Sequence, residues 1–136
     1  MNQEMSGTGY LQVRVSTAQS AVPLENAHVI LRRVKEDGGG LVKNVYSDRS
    51  GLSPRITLQT VSRELSEVPG NIQPFTTYDM EVSKEGYYTQ FYQNVPIFDG
   101  ITSVQSAEMI PLPQNGYENG LNPDENRFFE GENPDL

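Results

Sequence analysis

Cysteine is absent from this chain, and His28 is its only histidine. Without thiols there is no disulfide and no cysteine nucleophile. A Cys–His pair is excluded, and so is a metal site built from several imidazoles. A Ser–His–Asp arrangement would have to use His28, and no G-x-S-x-G elbow accompanies it. His28 therefore reads as a surface residue of a strand. Positive charge is scarce as well: ten Lys and Arg stand against eighteen Asp and Glu, a net charge of −8. Phosphate binding needs a clustered basic surface, so nucleic acid is not an expected partner. No apolar run approaches the ~20 residues that span a bilayer, so membrane insertion is not expected. The start, M-N-Q-E-M-S-G-T-G, has neither the basic nor the apolar region of a secretory signal. The expectation is cytoplasmic synthesis, with the final location left open.

Alternation is what the sequence has in quantity. Between 78 and 98, Tyr78, Met80 and Val82 alternate with Asp79, Glu81 and Ser83. That period of two is the signature of a half-buried strand. Lys84-Glu85-Gly86 reads as a tight turn, and a second strand follows. It places Tyr88, Gln90 and Tyr92 on one side and Thr89, Phe91 and Gln93 on the other. The same period predicts strands over 10–15, 27–33, 41–47, 54–58 and 101–110. The last of these has apolar residues on both sides, so its burial face stays ambiguous. Gly38-Gly39-Gly40, Asp48-Arg49-Ser50-Gly51 and Asp99-Gly100 mark turns. The connection over 59–75 is long and carries Pro69, Gly70 and Pro74, with a helical turn predicted over 62–68. The predicted core is Leu11, Val13, Val29, Leu31, Ile56, Leu58, Met80 and Val82. Seven short strands with regular turn signals predict an all-β, antiparallel Greek-key sandwich.

The domain is expected to span 9–112, after a disordered leader over 1–8. The tail over 113–136 holds six acids against Arg127 alone, and so carries −5 of the net charge. Its composition is that of a disordered segment. Phe128 and Phe129 are the exception, two adjacent rings among charged residues; they read either as a short anchor for a partner or as rings that fold back onto the domain's own surface.

The runs G-Y-L-Q-V-R-V, P-L-E-N-A-H-V, S-D-R-S-G-L and Y-D-M-E-V-S-K-E-G-Y-Y, in that order, resemble the carboxypeptidase regulatory-like domain. The resemblance covers about residues 9–112 and implies the transthyretin-like (prealbumin-like) sandwich. Two positions depart from the family pattern. Asn26 stands in place of a glycine, and Ser47 in place of a threonine. Asn tolerates the left-handed conformation better than most residues. The ending N-V-P-I-F-D-G-I-T-S-V-Q-S-A-E-M-I-P-L-P is similar to small stand-alone members from spore-forming Gram-positive anaerobes. Those accompany peptidoglycan-binding proteins of the spore cortex-lytic type. The resemblance thus implies a cell-envelope or spore setting and no activity of its own.

Enzymes with related sandwiches rely on more than one histidine, so the chain is expected not to be an enzyme and to need no cofactor or metal. Asp79 and Glu81 share a strand face roughly 7 Å apart. That would suit a carboxylate pair, but such residues are more often solvated surface. Tyr87, Tyr88, Phe91 and Tyr92 cannot all face one core; they either pack on the long connection and Phe75 or are exposed, and exposed rings favour contacts with proteins or with sugars. These four, with Phe128 and Phe129, are the candidate interaction surface. The function read from the sequence is a structural or protein-interaction module, with a peptidoglycan-binding protein as partner. The alternative is a carbohydrate-binding or carboxylate-dependent hydrolytic domain.

Overall fold

Leu11, Val13 and Val15 alternate with Gln12 and Arg14, and this pattern makes β1 (Gly7–Thr17) the central strand of one sheet. The structure is a computed structural model, and it describes residues 5–65 and 74–113. On one side of β1 lie β2 (Val22–Pro23) and β5 (Ile56–Thr60), both antiparallel to it. On its other side lies β8 (Thr102–Glu108), which runs parallel. This is sheet A. Sheet B has the order β4-β3-β6-β7, all antiparallel, from β3 (His28–Arg33), β4 (Leu41–Tyr46), β6 (Phe75–Ser83) and β7 (Gln90–Phe98). The fold is the expected all-β sandwich, antiparallel throughout except for the β1–β8 pair.

The eight predicted core residues are all at most 3% exposed. They join Val15, Ala27, Tyr78, Val95, Ile97, Ala107 and Met109 in one cluster between the sheets. Burying each large aliphatic chain stabilises the fold by about 1.5–3 kcal/mol. Ala107 and Met109 settle the burial face of the last strand, since Val104 and Ile110 on the other side are exposed. The two sheets approach closely where Gly9 of β1 meets β7. A Cβ on Gly9 would sit 2.5 Å from Ile97 Cγ2 and 2.5 Å from the Phe98 carbonyl oxygen. Only glycine fits there.

The turn after β4 shows how the motif S-D-R-S-G-L works. Ser47 Oγ accepts from the Ala27 N–H at 2.9 Å and donates to the Leu24 carbonyl at 2.6 Å. Asp48 Oδ1 accepts from the N–H groups of Ser50 and Leu52 at 2.9 and 3.0 Å. Gly51 takes φ +82°, a conformation that suits glycine. Asn26 also lies in the left-handed region, at φ +64°.

Several boundaries differ from expectation. β1 begins at Gly7, so two residues assigned to the leader belong to the sheet. β5 begins two residues later than expected, beyond Pro54, which has no N–H to offer. Arg63–Leu65 forms a 3-10 turn, and Ser62 Oγ accepts from the Glu64 N–H at 3.1 Å. The rest of the helical turn predicted there lies outside the described residues.

The largest correction concerns the central hairpin. The Lys84-Glu85-Gly86 turn forms, with the Tyr87 N–H donating to the Lys84 carbonyl at 3.1 Å. The strand does not resume at Tyr88, however. Tyr87 pairs with Pro111 across a single bridge. The Tyr88 N–H donates to the Ile110 carbonyl at 2.9 Å, and the Leu112 N–H donates to the Gly86 carbonyl at 2.9 Å. Backbone groups that a tight hairpin would have paired with β6 are taken instead by the segment after β8.

Candidate interaction surface

The outer face of sheet B is set by register. Ile30 on β3 lies opposite Asn44 on β4 and Glu81 on β6, and Glu81 lies opposite Phe91 on β7. One row therefore runs across four strands as Asn44, Ile30, Glu81, Phe91. In the next row His28 lies opposite Tyr46 and Ser83. The His28 and Tyr46 rings stack with centroids 4.5 Å apart and planes 6° from parallel. His28 Nε2 also lies 3.3 Å from Asn44 Oδ1.

Phe91 is 70% exposed, the most exposed large apolar residue among those described. Beside it Arg32 Nη1 meets Glu81 Oε1 at 3.1 Å. An exposed pair of this kind contributes about 0–1 kcal/mol to stability. It holds two opposite charges on a face that the core does not require to be charged. Asp79 Oδ1 accepts from the Asn94 N–H at 3.0 Å. That bond sits at the irregularity where β7 bulges against β6, with Asn94 at φ +60°. Arg32, Asp79, Met80, Glu81, Phe91, Tyr92 and Gln93 line a shallow depression of about 220 Å³. Asp79 and Glu81 do share the outer face, as expected, and each carboxylate already has a structural partner.

The predicted aromatic residues separate. Tyr87 and Tyr92 are half-buried and pack on the core. Burial pushes the Tyr92 phenol above its ordinary value, and a hydrogen bond with the Glu108 backbone opposes this. Tyr88 and Phe91 are exposed, but Tyr88 lies in the loop after β6 while Phe91 lies on β7. Of the four, Phe91 alone belongs to the outer face just described. Phe128 and Phe129 lie outside the described residues. Sequence reasoning missed Tyr46, Ile30 and Arg32. Their alternation placed them on strands, but only the β3–β4 and β3–β6 registers bring them together. His28 stands on the surface as read, though stacked rather than bare.

Among the described residues, no group of three or more His, Cys, Asp or Glu is placed to hold a metal ion. No helix among them is long and apolar enough to cross a membrane.

No protein-family model matches the sequence, and no characterised protein matches it by sequence. Solved structures do share its fold. Catechol 1,2-dioxygenase from Acinetobacter sp. ADP1 is 12% identical, with a TM-score of 0.53 over 93% of this chain and 59% of that one. Catechol 1,2-dioxygenase from Pseudomonas arvilla C-1 is 11% identical, with a TM-score of 0.53 over 83% of this chain and 55% of that one. GBS52, the minor pilin of Streptococcus agalactiae, is 16% identical, with a TM-score of 0.48 over 79% of this chain and 46% of that one. This chain thus spans less than two thirds of each.

The expectation that the chain is not an enzyme is corrected by these likenesses. Proteins with this sandwich include catechol 1,2-dioxygenases. A histidine count can exclude one ligand set, but it does not exclude activity from a fold that hosts enzymes. At 11–12% identity the likeness is one of fold, and fold does not assign chemistry.

Proposed function

We propose that this chain is a structural or protein-interaction module of a cell-envelope or spore assembly, and that it docks a peptidoglycan-binding protein on the outer face of sheet B. The observation that carries this reading is Phe91, 70% exposed beside the Arg32–Glu81 pair. Phe91 leaves most of its ring to water among charged and polar side chains, and covering that ring would remove its apolar surface from water. Aromatic residues and arginine are the types that anchor protein interfaces. Tyr46, held rigid by its stack on His28, supplies a second ring at low entropic cost. The similarity of the last strands to spore-forming anaerobe proteins supplies the envelope setting. On sequence grounds Phe128 and Phe129 remain part of the proposed surface.

A second reading uses the same depression for a sugar. A flat ring flanked by Asp79, Glu81 and Gln93 offers a stacking platform with polar groups around it. One experiment separates the two. The full chain is immobilised and exposed to extract from sporulating cells, alongside a Phe91→Ser/Tyr46→Ser variant. Retention of a peptidoglycan-binding protein by the wild type only is the expected result. Equal retention by the variant would remove the outer face from the reading. Soluble peptidoglycan fragments that shift the Phe91 and Glu81 NMR resonances, with no protein partner present, would favour the sugar.

A further inference from the structure

A sandwich has strand edges whose unpaired peptide groups can template another strand, and proteins usually block them. Among the described residues, three of the four edges are blocked. On β4, Lys43 lies opposite Leu31, so a charge occupies the core-side row of an edge strand. On β7, Pro96 lacks an N–H, and a bulge with Asn94 at φ +60° breaks the line. At β5, the Tyr78 hydroxyl donates to the Gln59 carbonyl at 2.6 Å, and the Val61 N–H donates to Thr76 Oγ1 at 3.2 Å. These bonds tie that edge to β6.

Among the described residues, the fourth edge, β8, shows no such device between Thr102 and Ala107. From Thr102 to Ala107 it contains no charge, proline or glycine. Its hydrogen bonds to β1 fix which peptide groups face outward. The Ile101 carbonyl accepts from the Tyr10 N–H at 2.9 Å, and the Met109 N–H donates to the Ser16 carbonyl at 2.7 Å. Peptide groups alternate sides along a strand, so the odd-numbered residues face β1. Thr102, Val104 and Ser106 then aim their N–H and C=O groups away from it. Among the described residues no strand pairs with them. The Ser106 carbonyl accepts from the adjacent Gln105 side chain, at 3.0 Å. The side chain of Val104 is 57% exposed.

We infer that this edge pairs with the same edge of a second copy, antiparallel, about a two-fold axis at Val104. That register uses all three free residues. Val104 meets Val104 of the second copy in a hydrogen-bonded pair, and Thr102 meets Ser106 on either side. Six main-chain bonds result, two from each pair. The two exposed valines cover one another, and Thr–Ser pairs are favourable cross-strand neighbours. Glu108 falls opposite the Gly100 end of the second copy, where Asp99 and the Arg63 guanidinium both lie, so the register rests on the valines and hydroxyls rather than on charge. A foreign strand would meet the same peptide groups, but it would have to bring that valine and those hydroxyls with it. This contact lies on the opposite sheet from Phe91 and is independent of the docking face proposed above.

The test is residue-resolved amide exchange and sedimentation of the full chain over a concentration series. Protection at Val104 and Ser106 should rise with concentration, as the mass rises from 15.2 kDa towards about twice that value. Val104→Pro removes the N–H at the axis without touching a bond to β1. It should remain monomeric, with Val13 still protected, and Val104→Lys should do the same. Phe91→Ser should leave the dimer intact. Protection independent of concentration would mean that this chain covers its own edge. That result would overturn the inference, as would absence of protection at high concentration or a dimer that survives both Val104 variants.

Discussion

Two turns in this chain carry the same signal and stand in opposite surroundings. Asp48-Arg49-Ser50-Gly51 and Lys84-Glu85-Gly86 are both polar and end in glycine, and both glycines take positive φ, +82° and +90°. Around Gly86 a Cβ would meet nothing within 4 Å. Around Gly51 it would meet the Val15 carbonyl oxygen at 2.5 Å and Pro23 Cβ at 3.0 Å. The first turn is wedged under β1, while the second faces open solvent. Backbone conformation alone therefore does not rank the two glycines. What lies above each of them does.

The same substitution at both positions sharpens this contrast. Gly51→Val combines a left-handed backbone strain with a collision against main chain, which cannot rotate away. It should destabilise the fold by about 3 kcal/mol or more. A melting temperature within a degree or two of wild type would show that the turn is not packed as described.

Ser47→Ala tests the neighbouring bonds. It leaves the Ala27 N–H and the Leu24 carbonyl buried without their partner, at a cost of about 1–3 kcal/mol. Ser47→Thr should recover most of that loss, since the hydroxyl is kept. If alanine were neutral by denaturant titration, the turn would owe its order to Asp48 alone. Gly86→Val should cost about 1–2 kcal/mol, from the left-handed conformation only. A loss equal to that of Gly51→Val would erase the distinction between the turns.

The smallest effect belongs to a third turn. Asp99 accepts from the Arg63 N–H at 3.1 Å and the Thr8 N–H at 3.0 Å. These bonds hold its carboxyl below the ordinary value of 3.8. A lowered folded value means stability that is fully present above the unfolded pKa and lost as pH falls through the folded one. The stability difference between wild type and Asp99→Asn should therefore be constant near neutrality and shrink below about pH 4. A difference that holds steady down to pH 2 would mean that the charge contributes nothing.

Much of this was legible beforehand because it depends on neighbours in sequence. Alternation located the strands and the eight core residues. Asp48 and Gly51 signalled their turn, and Asn26 its left-handed conformation. The misreadings fell where distant segments compete for the same backbone groups. Tyr87 and Tyr88 were read into a hairpin because nothing local shows that residues 110–112 will claim their peptide groups. The outer face was half legible. Phe91 stood out as an aromatic residue on an alternating strand, whereas Tyr46, Ile30 and Arg32 did not.

The sequence by itself determined the fold class, the inward rows of β1, β3, β5 and β6, and the chemistry of the turns. A period of two and a glycine at a turn act through adjacent residues, so they can be read without knowing what lies above them. Tertiary structure alone decided which strands are neighbours, and with what register. It set β8 parallel to β1, with no strand on its other side among the described residues. It placed the Cβ site of Gly9 against Phe98, and stacked His28 on Tyr46. Each of these joins residues far apart in the chain, and the energy that selects them comes from burying one sheet on the other rather than from any local preference.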